Sequence, residues 1–406
     1  MTTMDSQPVR EALARPLIQS APAGVRDPRP GLAGLALNEV AAWLSSRNQP
    51  AYRARQIADH LWRGSARTTG ELRTLPQDLR EALATDFRLD TLVDTEVRAA
   101  DQGTTEKALH RLDDGRLVES VLMRYPPRGW RRGRATVCIS SQAGCAVGCP
   151  FCATGELGFM RDLDTAEIVD QVRFWQRRLG EDEQHVTNVV FMGMGEPLLN
   201  ADAVFAAADA LSDPARFGLG ARHIVISTSG VLPGMERLIE LRPHYTLAVS
   251  LHAARPELRD VLVPLNRRYP VGDVVAAAGR FAAQTGRRVT YEYVMIDGIN
   301  DTAADAMALA RLVRGQLAHV NLIPMNPVAH TPWQASSRER IDTFAGLLRG
   351  AGIGTTIRRN RGIEIGAACG QLAADRAGEP APDAVARRRQ LLVIRSTEAL
   401  VASASR

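Results

Sequence analysis

The stretch Cys145-Ala146-Val147-Gly148-Cys149-Pro150-Phe151-Cys152 organises the rest of this chain, because it holds three of the five cysteines within eight residues. Three residues separate its first two thiols and two residues separate the last two, so one short loop can direct all three sulfurs toward one point. Thiolates are soft ligands that select zinc or iron–sulfur clusters. Structural zinc takes four ligands, and a [4Fe–4S] cluster usually takes four cysteines. With three thiols in the loop, a cluster bound here keeps one iron open.

Three other interpretations of this loop compete. A zinc ion could take these thiols with a fourth ligand elsewhere, such as His185, and thiolate ligands alone do not distinguish zinc from iron. A disulfide framework is disfavoured, because the chain has five cysteines in 406 residues and no secretory N-terminus. A zinc deaminase is disfavoured as well, because its proline precedes the cysteine pair, whereas here proline follows Cys149, and no His-x-Glu lies upstream.

The octet resembles the cluster loop of radical S-adenosylmethionine (SAM) enzymes, in which the amino and carboxylate groups of SAM chelate the open iron. The spacing of three and then two residues is the commonest form in that superfamily. The resemblance implies one [4Fe–4S] cluster with Cys145, Cys149 and Cys152 as its ligands and SAM on the fourth iron.

Downstream of residue 135 the sequence alternates between short apolar runs and helical stretches. The runs are 136–139, 188–192, 224–226, 247–249, 289–295 and 320–323, and helices such as 166–179 and 274–284 separate most of them. Short, almost fully apolar strands between helices are typical of a parallel sheet covered by helices. Six such units predict an α/β fold with a partial (βα)6 barrel.

Polar or glycine-rich residues follow each of these runs. In chain order they are the cysteine loop, Gly193-Met194-Gly195-Glu196-Pro197, Ser227-Thr228-Ser229-Gly230, Ser250-Leu251-His252, Met295-Ile296-Asp297-Gly298-Ile299-Asn300 and Pro324-Met325-Asn326-Pro327. Parallel βα sheets bind ligands at the carboxyl ends of their strands. Each motif alone is weak evidence, but their common phase with the cluster loop predicts one binding face.

Upstream of the sheet the chain divides into three further parts. Residues 1–34 carry five prolines and no apolar period, which predicts a disordered tail. Residues 35–97 show helical stripes and predict a small helical domain with a linker. Its Arg53, Arg55 and Arg63 could meet RNA phosphates, although a solvated helix face fits better. Residues 98–134 predict a connecting β-hairpin, which carries Glu119, and an arginine-rich loop with Trp130. Interleaved arginine and aromatic residues suit RNA, although a solvated loop fits equally well. Residues 135–375 then form the barrel, and 376–406 form a C-terminal tail.

The composition limits the partners of the protein. The net charge of +5 permits a nucleic-acid partner without requiring one. Lys107 is the only lysine among 50 basic residues. No apolar run reaches the 18 or so residues of a membrane span, and no secretory pattern opens the chain, so the prediction is a cytoplasmic protein with reduced thiols and no membrane partner.

Motifs across residues 37–372 resemble the RlmN/Cfr family of radical SAM RNA adenosine methyltransferases, and the RlmN branch in particular. The motifs are Ser140-Ser141-Gln142-Ala143-Gly144-Cys145, Cys149-Pro150-Phe151-Cys152-Ala153-Thr154-Gly155, Gly193-Met194-Gly195-Glu196-Pro197, Ser250-Leu251-His252 and Gly366-Ala367-Ala368-Cys369-Gly370-Gln371-Leu372. No motif position departs from the family pattern, whereas the loop around Trp130 and both tails are particular to this chain.

The resemblance implies a role for each residue at these positions. Gly195 and Glu196 are expected to contact the amino group of SAM. The residues expected at its ribose and carboxylate are Ser227, Ser250, Leu251, His252 and Asn326. Cys369 corresponds to the cysteine that carries the methyl group, Cys138 to the cysteine that resolves the RNA adduct by forming a disulfide, and Glu119 to the proton acceptor.

The resemblance also implies an activity and partners. The expected reaction is methylation of adenosine C2 in 23S rRNA and tRNA, with two SAM molecules per turnover. An electron donor such as flavodoxin or ferredoxin would reduce the cluster, and the expected protein is a monomer. Methylation at C8 uses the same motifs and is the nearest rival. A non-catalytic iron–sulfur protein that binds RNA is the second rival, but it gives Cys138 and Cys369 no role.

Overall fold

The computed structural model describes residues 24–64, 66–127, 129, 132–241, 243–328 and 331–372. The predicted C-terminal tail at 376–406 and residues 1–23 of the predicted N-terminal tail lie outside this part of the chain. Arg128, Trp130 and Arg131 of the predicted arginine-rich loop lie outside it too.

From residue 24 onward, the described part of the chain has three short α-helices before the sheet: α1 (Leu37–Ser45), α2 (Tyr52–Trp62) and α3 (Gln77–Asp86). Each buries one apolar stripe at helical spacing, as the sequence predicts; in α2 the stripe runs from Ala54 through Ile57 to Leu61. At the start of α1 the Glu39 carboxylate accepts a hydrogen bond from the backbone N–H of Ala36 at 2.7 Å. That bond satisfies one of the amides that a helix start leaves without a partner.

The end of the predicted N-terminal tail is ordered, which corrects the expectation for residues 24–34. Leu32 and Ala33 are each 1% exposed and belong to the main apolar core. A Cβ on Gly34 would meet the backbone N of Ala166 at 2.9 Å, so the segment packs closely against the following helical layer. The proline-rich composition gave no sign of this packing, because Leu32 and Ala33 are the two buried apolar residues of the segment.

The predicted hairpin is part of a larger antiparallel sheet. Strands β1 (Asp94–Ala100), β2 (Thr105–Arg111) and β3 (Leu117–Tyr125) pair in sequence, and β3 also pairs antiparallel with β4 (Arg134–Cys138). In that last pairing Val121 lies opposite Cys138. The hairpin is therefore hydrogen-bonded into the barrel sheet instead of connecting two separate domains.

Seven parallel strands form the rest of one ten-stranded sheet in the order β1-β2-β3-β4-β7-β8-β9-β10-β11-β12. After β4 these are β7 (Asn188–Phe191), β8 (Ile224–Thr228), β9 (Thr246–Ser250), β10 (Val289–Met295), β11 (Ala318–Pro324) and β12 (Gly354–Ile357). The six predicted βα units are confirmed. The polar sequence of β12, Gly-Thr-Thr-Ile, concealed a seventh parallel strand. A separate ribbon pairs β5 (Gln142–Gly144) with β6 (Phe159–Asp162).

Helices alternate with the parallel strands. They are α4 (Ala153–Leu157), α5 (Thr165–Gly180), α6 (Ala201–Ser212), α7 (Leu232–Leu241), α8 (Pro256–Leu262), α9 (Val271–Thr285), α10 (Ala303–Leu312) and α11 (Arg338–Gly350). Large side chains such as Trp175 on α5 and Phe281 on α9 are almost fully buried between helices and sheet. In the described residues, no helix has the length and apolarity that a membrane crossing needs. The architecture gathers the carboxyl ends of the parallel strands at one edge.

Candidate active site

The cysteine loop follows β4 at that edge. The backbone N–H of Cys152 donates to the carbonyl of Cys149 at 3.1 Å, and that of Cys145 donates to Gly158 at 2.9 Å. The loop requires Gly155, because a Cβ there would lie 2.7 Å from the carbonyl oxygen of Cys149. Cys145, Cys149 and Cys152 are half-buried and pack against one small apolar cluster with Val147. The loop thus brings the three predicted cluster ligands together.

Burial makes these thiols poor acids on their own. It raises the pKa of Cys145 to about 12 and raises the pKa of both Cys149 and Cys152. Neighbouring thiolates add to the shift at each of these sulfurs. Three buried thiolates in one loop therefore need a strong positive partner, and iron in a cluster supplies one.

The zinc alternative with His185 does not fit. His185 is exposed and precedes β7, so it lies at the amino end of a parallel strand. The cysteine loop follows the carboxyl end of the neighbouring strand β4. In the described residues, no three His, Cys, Asp or Glu side chains are grouped to hold a single metal ion, and this holds for the three loop cysteines as well.

A cavity of about 170 Å³ opens beside the three cysteines, and we call it the cofactor cavity. Its lining includes most of the residues that were expected to bind SAM: Gly195, Glu196, Ser227, Ser250, His252 and Asn326. Two buried oxygens facing it, Oδ1 of Asn326 and Oε2 of Glu292, have no hydrogen-bond partner among the described residues. Buried acceptors without partners are costly, so this lining fits a polar ligand that donates hydrogen bonds. A cluster with SAM meets that requirement.

The loop after β7 brings Glu196 to the cofactor cavity. Gly195 has a φ of +99°, and a Cβ on it would lie 2.6 Å from Cβ of Gln142, so only glycine fits. The Glu196 carboxylate accepts hydrogen bonds from the backbone N–H and the hydroxyl of Ser229, each at 2.7 Å, and from the N–H of Leu198 at 3.0 Å. Burial raises the pKa of Glu196, while the bonds from Ser229 oppose that shift. The carboxylate is thereby fixed in one orientation.

His252 follows β9 in a left-handed conformation, with a φ of +60°. Its Nδ1 accepts the backbone N–H of Val294 at 3.1 Å, so a neutral ring carries its proton on Nε2. Burial, together with the charge of Arg259, lowers the pKa of His252 to about 3. The imidazole is therefore a neutral hydrogen-bond donor at the cofactor cavity. Leu251 does not line the cavity; its side chain is buried, and its backbone N–H donates to Glu292 at 2.9 Å.

The segment carrying Cys369 lies against the cysteine loop. The backbone N–H of Ala153 donates to Gly370 at 2.8 Å, and the amide of Asn326 donates to the carbonyl of Cys369 at 2.8 Å. Cys369 therefore lines the cofactor cavity although it lies more than 200 residues from the cluster ligands in sequence.

A second, much smaller cavity of about 30 Å³ adjoins the first, and we call it the thiol cavity. Cys138 and Cys369 both line it, and Cys369, Asn326 and Arg358 line both cavities. Burial, reinforced by the nearby Cys369, raises the pKa of Cys138 to about 12. The structure thus brings together the two cysteines that do not belong to the cluster loop.

Glu119 lies on the same face of the sheet as Cys138 but does not line either cavity. It is two residues from Val121 on β3, and Val121 pairs with Cys138. Its carboxylate is buried and accepts a hydrogen bond from Lys107 at 2.8 Å. Its backbone carbonyl accepts the hydroxyl of Ser140 at 2.6 Å.

Three residues of this site were not predicted from the sequence. Arg259 is fully buried and donates to the carbonyls of Leu251 at 3.0 Å and Ser229 at 2.6 Å, joining two motif loops. The nearby Cys369 thiol raises the pKa of Arg358. Glu292 presents a carboxylate inside a strand that looked apolar. For Glu292, one charge within an apolar run was a signal that could have been used.

Comparison with known proteins agrees with this geometry. The model of the radical SAM superfamily matches residues 139–310. A probable dual-specificity RNA methyltransferase RlmN from Frankia alni is 48% identical over 91% of this chain and 89% of its own length. The corresponding protein from Chloroflexus aurantiacus is 47% identical over 83% of this chain and 91% of its own length.

A solved structure matches as well. The crystal structure of a radical SAM methyltransferase from Sphaerobacter thermophilus superposes with a TM-score of 0.82 at 47% identity, covering 85% of this chain and all of that one. Identity at this level over nearly the whole length of several relatives shows that the chain belongs to the RlmN family of radical SAM proteins.

Proposed function

We propose that this protein methylates C2 of adenosine in 23S rRNA and tRNA through a methylated Cys369, using two SAM molecules per turnover. One observation carries the proposal: Cys369 lies at the junction of two cavities. On one side are the cluster cysteines and the SAM motifs, and on the other side are Cys138 and a group of arginines. A residue that receives a methyl group from SAM and passes it to RNA requires access to both.

The cofactor assignments follow from the same cavity. Cys145, Cys149 and Cys152 would hold one [4Fe–4S] cluster, and SAM would occupy the rest of the cofactor cavity between Glu196, His252 and Asn326. When bound, the cluster and SAM supply the one-electron chemistry of the reaction, including acceptance of the electron that the RNA adduct gives up. Gly195, Ser227, Ser250 and the backbone of Leu251 complete the proposed SAM site.

A carrier cysteine is needed because adenine C2 is electron-poor and has no lone pair with which to attack a sulfonium methyl group. A thiolate can make that attack. The Cys369 sulfur would form a bond to the methyl carbon while the carbon–sulfur bond of SAM breaks and S-adenosylhomocysteine leaves. The methyl group on Cys369 would then lie in the cavity that the second SAM occupies.

Release of the product needs a base and a second thiol. After the methylene carbon on Cys369 has bonded to C2, Glu119 would take the C2 proton while the carbon–hydrogen electron pair stays in the ring. Cys138 thiolate would then attack the Cys369 sulfur and form a disulfide. The carbon–sulfur bond breaks, and the product carbon leaves with the electron pair and takes up a proton. An external reductant would restore the two thiols.

The substrate would enter through the thiol cavity. The target adenosine must leave its stack to reach Cys369, at a cost of a few kcal/mol. Arg358, Arg359 and Arg361 line this cavity and suit RNA phosphates. The helical segment 35–97 would add phosphate contacts, an electron donor such as flavodoxin or ferredoxin would reduce the cluster, and the protein would act as a monomer in the cytoplasm.

The test is to incubate anaerobically reconstituted protein with SAM, a reductant and RNA, and to compare the digested product with methyladenosine standards. The expected product is 2-methyladenosine, accompanied by 5′-deoxyadenosine. An 8-methyladenosine product would favour C8 methylation instead. If no 5′-deoxyadenosine forms, a cluster protein that only binds RNA becomes the better description.

A further inference from the structure

The single lysine of this chain lies in an unusual place. Of 50 basic residues, 49 are arginines, and the one lysine is Lys107 on β2. Its side chain is only 9% exposed, and its ammonium lies 2.8 Å from Oε1 of Glu119, whose side chain is 2% exposed. Lysine is among the residues that are almost never fully buried without a partner. This ion pair is therefore buried, as is the pair of Arg173 and Asp170, and it is the buried pair that a lysine forms.

The sheet register places the pair beside the two thiols. Lys107 lies opposite Val121, and Val121 lies opposite Cys138, so one row of side chains crosses β2, β3 and β4. Glu119 shares this face one step further along β3, because alternate residues of a strand point the same way. The row therefore runs directly to a side chain that lines the thiol cavity.

The main chain at Glu119 is held in place from the cofactor side. The Ser140 hydroxyl donates to the carbonyl of Glu119 at 2.6 Å and accepts the backbone N–H of Met194 at 2.8 Å. Ser140 follows β4 and Met194 belongs to the loop that carries Glu196. Lys107 thus fixes the side chain of Glu119, while Ser140 fixes its backbone.

A buried carboxylate needs such a partner to act as a base. Burial favours the protonated form of a carboxyl group, which cannot accept a proton, and a cation nearby favours the ionised form. Arginine would present a planar fork that can engage both carboxylate oxygens, whereas a lysine ammonium is a compact point charge. Here the ammonium group contacts Oε1 of Glu119 at 2.8 Å.

We propose that Lys107 is the positioning residue whose buried ammonium group holds the Glu119 carboxylate in the orientation that takes the C2 proton of the RNA adduct. The inference rests on the proposed function, since it gives Glu119 the role assigned there. In this step the proton moves from C2 to the Glu119 carboxylate and the electron pair stays in the ring. Lys107 gains and loses no proton.

Other charged or titratable groups surround this face of the sheet. They are Cys138 on β4, Cys369 and Arg358 across the thiol cavity, and Arg361 and Asp101 at the end of β2. Glu106 and His110 on β2 alternate onto the opposite face. Since none of these groups changes between the variants below, their comparison isolates the charge at position 107.

The experiment uses full-length, reconstituted protein in a Cys138→Ala background, where the adduct persists and thiol attack does not contribute. RNA carrying tritium at C2 of the target adenosine is the probe, and tritium released into water measures proton removal. Release is followed from pH 6 to 9, with transfer of the first methyl group to Cys369 measured in the same samples. Proton removal requires ionised Glu119, whereas methyl transfer to Cys369 does not.

With Lys107→Met, tritium release at pH 7 should fall by roughly tenfold or more relative to methyl transfer and should recover as the pH rises. With Lys107→Arg, the charge is kept, so the pH dependence of the parent protein should return. Parental release from Lys107→Met at every pH would overturn the inference. So would an equal fall of both steps in that variant, or a shifted pH dependence in Lys107→Arg, because each would assign the lysine a packing role.

The same tritium assay distinguishes failure of the proposed function from failure of the inference about Lys107. If the Glu119→Gln variant still releases tritium at the parental rate, Glu119 is not the base, whatever Lys107 does. If the Cys138→Ala parent itself releases none while its adduct forms, C2 is not the position that loses a proton. If Glu119→Gln blocks tritium release and Lys107→Met does not, the inference about Lys107 is wrong while the proposed function stands.

Discussion

Cys138 and Cys369 carry the same functional group but occupy different environments at the level of single residues. Cys369 is half-buried at the junction of two cavities, whereas Cys138 is buried at the end of β4 with a pKa raised to about 12. A thiol with so high a pKa stays protonated at neutral pH, and thiolate is the attacking species. Under the proposed function, attack by Cys138 on the adduct therefore depends on a small thiolate fraction.

Release of methylated RNA from the adduct should therefore accelerate with pH. Because the pKa of Cys138 is raised to about 12, its thiolate fraction grows about tenfold per pH unit between pH 7 and 9. The measurement is decay of the labelled protein–RNA adduct on denaturing gels in single-turnover reactions. In the Cys138→Ala variant the adduct should persist at every pH. Release at the same rate across this range would contradict an attack by Cys138.

The buried imidazole of His110 predicts a second pH effect, which concerns the stability of the folded protein. It is fully buried between Thr95 and Ser120, and burial lowers its pKa to about 3. An unfolded histidine has a pKa of about 6.5. Below that value the unfolded chain binds a proton that the folded chain rejects, so stability falls as the pH drops from 6.5 toward 3.

Between pH 6.5 and 3, the free energy of unfolding of the wild-type protein should fall relative to that of His110→Gln. The expected fall is about 1.4 kcal/mol for each unit by which the pH drops. Urea unfolding of both proteins at pH 6.5, 6.0, 5.5 and 5.0 measures the difference, and carboxyl groups common to both cancel. A difference that stays constant over this range would show that the imidazole accepts its proton in the folded protein.

At the level of elements, the loops after the strands carry the site, and their backbone shapes limit which residues they accept. Gly195 shows this most directly, since it combines a φ of +99° with a Cβ position 2.6 Å from Gln142. We expect Gly195→Ala to weaken SAM binding by about 1–3 kcal/mol, because the strained loop moves Glu196. Equilibrium dialysis of SAM with the reconstituted protein measures this change.

The matched control for that substitution is Gly346→Ala. Gly346 lies within α11, and open space surrounds its Cβ position. Alanine there should leave SAM affinity unchanged and stabilise the helix by about 0.4–1 kcal/mol. If Gly195→Ala binds SAM as the wild-type protein does, the loop after β7 does not position a ligand group.

Sequence patterns predicted these elements better than their mutual placement. The six βα units and the polar residues after each strand follow from periodicity, because a buried parallel strand must be apolar and its carboxyl end must be open. The seventh strand, β12, was not predicted, because Thr355 and Thr356 interrupt the apolar pattern. Arg259 could not be identified, because a buried cation is recognisable only from the carbonyls that surround it. Glu119 and Lys107 meet across β2 and β3, a register that no local pattern reveals.

At the scale of the whole molecule, charge is distributed unevenly about the thiol cavity. Arg358, Arg359 and Arg361 line it, and Tyr125 at its edge contacts two guanidinium groups, those of Arg134 at 4.2 Å and Arg361 at 4.6 Å from the ring centroid. Arg361 also bonds to Thr104, so it supports the cavity wall. Arg359, which lines the cavity, and Arg134, which stacks on Tyr125 at its edge, are both exposed to solvent.

These two arginines should contribute to RNA binding through counterion release. We expect the double variant Arg134→Gln, Arg359→Gln to bind RNA more weakly and to lower the slope of log affinity against log salt by about 0.7 for each lost phosphate contact. Filter binding from 50 to 300 mM salt measures the slope. The matched control is Arg222→Gln, Arg288→Gln, which removes two exposed charges just before β8 and β10, at the opposite edge of the sheet. Equal slopes for both double variants would show that RNA affinity depends only on the net charge of the protein. The mouth of the thiol cavity would then not be the RNA entrance.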